Sequence, residues 1–135
     1  MAKILVVDDD PAVQMTIRLL LERAGHVVVA ADDGETGLST FESENFDLLF
    51  LDIFMPGMDG IEAMRQIHRQ WPTIPIIVIS GRPLEPEATG EPDFLMMAIK
   101  IGAVSSLPKP FKPAVLLDMV ERCLNARNRN AASGR

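Results

Sequence analysis

The chain holds a single cysteine, Cys123, which excludes an internal disulfide. A lone thiol suits a reducing compartment, and a cytoplasmic location is expected. Long hydrophobic runs are also missing. No apolar stretch approaches the roughly 20 residues that a membrane helix needs. Met1-Ala2-Lys3 runs straight into a short apolar segment, without the longer core and small-residue cleavage site of a secretory signal. Basic residues are in deficit: 13 Lys and Arg face 19 Asp and Glu, a formal charge of −6. Direct binding of nucleic acid by bulk electrostatics is therefore not expected, nor is a membrane partner. Histidine is scarce. His26 and His68 have no partner at metal-ligand spacing and read as surface or edge residues. No internal repeat is visible.

What is present fits one domain of 135 residues, with 47% hydrophobic residues available for a core. Short β-branched runs alternate with amphipathic stretches. Strands are predicted at Ile4–Val7, Val27–Ala30, Asp47–Leu51, Pro75–Ile79 and Val104–Leu107. Asp10 caps a predicted helix with Pro11 at its first position, Val13, Ile17, Leu20 and Ala24 as its apolar stripe, and Gly25 at its end. Asp33 and Asp59, each before a glycine, read as turn or cap residues. Further helices are predicted through Leu38 and Phe41, from Gly60 with Ile61, Met64 and Ile67 inward, over 93–101, and over the last apolar face of Val115, Leu116, Met119, Val120, Cys123 and Leu124. Trp71 reads as packing at a helix end. The polar segment from Asn125 is expected to fray, so 1–126 is the predicted domain and 127–135 a flexible tail or linker stub. Five strands alternating with five helices imply an α/β fold, a doubly wound parallel sheet covered on both faces.

In such a sheet, ligands bind outside the carboxyl ends of the strands. Asp8, Asp9 and Asp10 follow the first predicted strand, Asp52 the third, Ser80 the fourth and Lys109 the fifth. Carboxylates gathered in one place repel unless a cation sits among them. Mg²⁺ is hard and oxygen-seeking, and it takes one or two carboxylates together with waters and phosphate oxygens. Lys109 adds a second positive charge, which suits a phosphoryl group. A carboxylate can act as nucleophile toward phosphorus and form an aspartyl phosphate.

These residues carry a resemblance. Ile4-Leu5-Val6-Val7-Asp8-Asp9, then Asp52-Ile53-Phe54-Met55-Pro56-Gly57-Met58-Asp59-Gly60, then Ser80-Gly81, then Lys109-Pro110-Phe111 resemble the receiver domains of response regulators over about residues 3 to 125. The resemblance implies a flavodoxin-like sheet of order 2-1-3-4-5. It implies Asp52 as phosphoacceptor from a sensor histidine kinase or phosphotransfer protein, in a Mg²⁺-dependent reaction. Asp9, Asp52 and the Phe54 carbonyl would hold the metal directly, and Asp8 through water. Ser80 and Lys109 would contact the phosphoryl group, with a cis peptide expected between Lys109 and Pro110. The domain would be a signalling module, catalysing only its own phosphorylation and dephosphorylation.

Two other functions compete. A haloacid-dehalogenase-like phosphatase also uses an aspartate after its first strand, but Ala12 stands where its threonine is expected, and the Asp52 motif would go unexplained. A phosphorylation-independent pseudo-receiver would usually have lost an acid or the lysine, and none is lost here. Three departures from the family pattern bear on the switch. The segment after Ser80 is longer and carries Pro83, Pro86, Gly90 and Pro92; the predicted helix over 93–101 is unusually apolar; Ser106 replaces a common aromatic. The 93–124 face is the expected surface for a homodimer or an effector.

Overall fold

The computed structural model describes residues 2–52, 60–80, 102, 105–108 and 110–133, with the backbone alone at 80, 108 and 127–133. The elements follow in the order β1 (Lys3–Val7), α1 (Pro11–Arg23), β2 (Val27–Ala31), α2 (Gly34–Ser43), β3 (Leu48–Asp52), α3 (Gly60–Gln70), β4 (Ile76–Ser80), β5 (Ser105–Pro108) and α4 (Pro113–Ser133). All five strands are parallel and lie in the order β2-β1-β3-β4-β5. Four helices stand among the described residues. The predicted helix over 93–101 lies outside them, as do the long segment 81–92 and most of the predicted 93–104 part of the partner face.

The period of two along each strand sorts the core into two layers. Leu5, Val7, Leu49, Leu51, Ile76 and Val78 point to one face, where Leu38 and Phe41 of α2 and Ile61, Met64 and Ile67 of α3 cover them. Ile4, Val6, Leu48, Phe50, Ile77, Ile79 and Leu107 point to the other, under Ile17 and Leu21 of α1 and Leu116 and Val120 of α4. A sheet covered on both sides needs strands that are apolar at every position, and β3 is buried along its whole length.

Local chemistry sets the element ends. Asp10 caps α1, accepting the Ala12 N–H at 2.9 Å, and Pro11 opens the helix. Gly25, at φ 94°, supplies the left-handed residue that ends it. Asp33 caps α2 by accepting the Thr36 N–H at 2.7 Å. Trp71 closes α3 and packs edge-on against Phe41, with centroids 4.7 Å apart. His26 is half-buried and its Nδ1 accepts the Ala2 N–H. His68 is also half-buried, its ring against Gly102.

Four predicted details shift. On α1 the fully buried residues are Ile17 and Leu21, whereas Ala24 is exposed at the C-cap. On α4 Val115 is exposed, and Leu116 and Val120 are the buried pair. Asp47 precedes β3 rather than starting it: its carboxylate accepts the Lys3 N–H at 2.9 Å and its own N–H donates to the Lys3 carbonyl at 2.7 Å. The polar segment 127–133 is helical and continues α4. Among the described residues no helix is long and apolar enough to cross a membrane.

Candidate functional site

The register of the sheet builds the site. Val7 of β1 pairs with Leu51 of β3. The next residues in each strand direction, Asp8 and Asp52, therefore stand side by side at the carboxyl edge of the sheet. Asp52 pairs with Ile79, so Ser80 follows one position beyond, and Ser80 pairs with Pro108 on β5. Lys109, the residue after Pro108, lies outside the described residues. So do Phe54 and the peptide expected to be cis.

Three carboxylates meet at this edge. Asp8 is fully buried, Asp52 is 3% exposed, and Asp9 faces solvent. One oxygen from each can be chosen so that all lie within 4.8 Å of one another. The Asp8 carboxylate is anchored by the Asp10 N–H, 2.8 Å from Oδ1. Its own N–H donates to the Ala31 carbonyl at the end of β2, 3.1 Å away. Two unit charges about 4 Å apart repel by roughly 1 kcal/mol in water and about 4 kcal/mol near a protein surface. Bringing three acids together is therefore costly unless a cation offsets them.

The donor set fits Mg²⁺. All donors are hard carboxylate oxygens. Octahedral positions about 2.1 Å from the ion are about 3 to 4.2 Å apart. A spread of up to 4.8 Å leaves room for two direct carboxylates and a third reached through water. Beside the site, the Thr36 backbone N–H holds the Asp33 carboxyl below the usual carboxylate range, as its place at the cap of α2 requires.

One residue that sequence reasoning passed over also stands here. Gln14, on the first turns of α1, donates its side-chain N–H groups to the Asp8 carbonyl at 2.5 Å, the Ala31 carbonyl at 3.1 Å and Asp32 Oδ1 at 2.8 Å. The available signal was its position four residues after the Asp10 cap, which returns a helical side chain to the side of the turn that carries the acids.

Acids just after β1 and at the end of β3, at the carboxyl edge of a 2-1-3-4-5 parallel sheet, agree with the family model that the chain matches, "Response regulator receiver domain", over residues 4–121. The chain belongs to the response regulator receiver-domain family. The alkaline phosphatase synthesis transcriptional regulatory protein PhoP of Bacillus subtilis is 35% identical over 111 residues, which is 82% of this chain and 43% of that protein. The transcriptional regulatory protein FixJ of Bradyrhizobium diazoefficiens is 33% identical over 121 residues, 90% of this chain and 56% of that protein. The chain thus spans about half the length, or less, of these two relatives. Among solved structures, a CheY-like receiver domain protein from Methanospirillum hungatei JF-1 superposes with a TM-score of 0.85 at 28% identity, covering 96% of this chain and 98% of that one. As a receiver domain of the two-component response regulators, the chain is a signalling domain.

Proposed function

We propose that Asp52 is the phosphoacceptor of this receiver domain. The observation that supports it most strongly is the convergence of Asp8, Asp9 and Asp52 at the ends of two neighbouring strands, with Asp52 as the last residue of β3. A carboxylate oxygen of Asp52 attacks the phosphorus of a phosphohistidine or a small acyl phosphate. The new O–P bond forms as the bond to the donor breaks, and the donor leaves with that electron pair. Asp9, Asp52 and the Phe54 carbonyl would hold Mg²⁺, with Asp8 reached through water, and the ion would supply positive charge to offset that of the phosphoryl oxygens. Ser80 and Lys109 would contact the same oxygens. The donor in signalling is a sensor histidine kinase or a phosphotransfer protein. The receiver domain occupies 1–126, and 127–135 serve as tail or connector. The 93–124 face, on which Val115 is exposed, is the surface whose partner binding changes.

Incubation with acetyl phosphate and Mg²⁺ should add one phosphoryl group per chain, read by intact mass. Asp52→Asn should gain none. Undiminished labelling of that variant moves the acceptor elsewhere. An unlabelled wild-type chain instead supports a phosphorylation-independent interaction module.

A further inference from the structure

The phosphoacceptor chemistry leaves the Gln14 amide unused, yet that amide sits against the turn that delivers two of the three acids. Its nitrogen faces three oxygens, at 2.5, 3.1 and 2.8 Å. An amide oxygen turned the other way would meet the same three acceptors, so only the donor end fits. Two hydrogens serve the Asp8 carbonyl, the Ala31 carbonyl and the Asp32 carboxylate. The Asp8 N–H bonds the same Ala31 carbonyl at 3.1 Å. The Asp8 residue is thus tied at both its N–H and its carbonyl to the end of β2.

This tie matters because the Asp8-Asp9-Asp10 turn belongs to neither β1 nor α1. Beyond the Asp8 N–H, which makes the last bond of the β1–β2 ladder, no strand pairing holds it, and its acids share one edge with Asp52. Gln14 supplies donors without adding a cation that would compete with a metal. We propose that Gln14 is a positioning residue: it pins the turn between β1 and α1 to β2, so that Asp8 and Asp9 stay converged on Asp52 before any cation binds. The proposal rests on the reading of these three acids as a Mg²⁺ site.

The test uses Gln14→Met, which keeps the length and removes both donors. Mg²⁺ affinity is measured by calorimetry, and amide exchange at Asp9 and Asp10 is followed in metal-free protein by NMR. Affinity should fall about 10-fold, the lower end of what losing an outer-sphere partner costs. The two amides should exchange faster without metal. A variant with a lower melting temperature but unchanged Mg²⁺ affinity would show a merely structural bond and overturn the proposal. Asp52→Asn separates the two readings. If it binds Mg²⁺ like the wild type, the metal-site reading fails and the Gln14 role with it. If it loses Mg²⁺ while Gln14→Met does not, only the Gln14 role falls. Should Gln14→Met not fold, Gln14→Asn keeps the amide but stops one methylene short of Asp8. Wild-type affinity in that variant likewise refutes the pin.

Discussion

His26 stands where the chain enters β2, and its Nδ1 accepts the Ala2 N–H at 3.1 Å. Only the neutral ring can accept there. Burial pushes the imidazole below its ordinary range, the positive charge of the amino terminus adds to this, and Glu121 on α4 partly opposes it. The folded chain therefore disfavours the imidazolium, and the unfolded chain binds the extra proton. Stability linked to His26 is present above the ordinary histidine range and is lost as the pH falls through it. Melting curves taken from neutral pH down to about pH 5.5, where most carboxylates remain charged, should show this loss in the wild type. His26→Gln, which can still accept the Ala2 N–H, should flatten the profile. An unchanged slope in that variant would remove His26 as the cause. Sequence alone read both histidines as edge residues. The reading missed the Ala2 bond and the packing of His68 on Gly102, because neither pairing has a sequence spacing that marks it.

At the level of elements, α2 approaches β1 unusually closely at Gly37. A Cβ there would lie 2.7 Å from Val7 Cγ2 and 3.0 Å from Cγ1. Alanine favours a helix over glycine by about 1 kcal/mol, but Val7 is a stiff, β-branched and fully buried side chain. Gly37→Ala should therefore destabilise the domain, by about 1–3 kcal/mol, read as a lower denaturant midpoint. A neutral or raised midpoint would mean that α2 slides off β1 freely. The elements themselves were legible in the residues. Asp10-Pro11, Asp33-Gly34 and Gly25 marked helix ends by capping chemistry that acts within a few residues. What could not be read was which apolar residue of a helix lies deepest. Leu21 rather than Ala24 is buried on α1, and Leu116 rather than Val115 on α4, because helix rotation is set by the opposing strands and not by the helix's own pattern.

At the scale of the whole molecule, Asp8, Asp9 and Asp52 gather at one edge of the sheet, and a cation held there would couple metal binding to folding. A cation bound only by the folded state stabilises it by about 2.7 kcal/mol at 100 times its dissociation constant. Mg²⁺ should therefore raise the unfolding midpoint of the wild type. Asp9→Ala should lose that response, and its metal-free form should melt higher than the wild type through relief of repulsion. A full Mg²⁺ response in Asp9→Ala would take that residue out of the site. Asp8, Asp9 and Asp52 were legible as a group, since each follows an apolar run and a parallel sheet gathers strand ends. Their spacing was not, because it follows from Val7 pairing with Leu51, a register set by the packing of both faces. The same geometry fixes what the sole tryptophan can report. Helices in a parallel sheet run back against the strands, so Trp71, at the end of α3, lies near the edge where β4 begins. Its ring rests on Phe41 of α2, away from the acids. Its fluorescence should therefore gauge whether α2 and α3 remain seated, with little response to events confined to the opposite edge. An emission change on phosphorylation would be the signature of a disturbance that has crossed the full depth of the sheet.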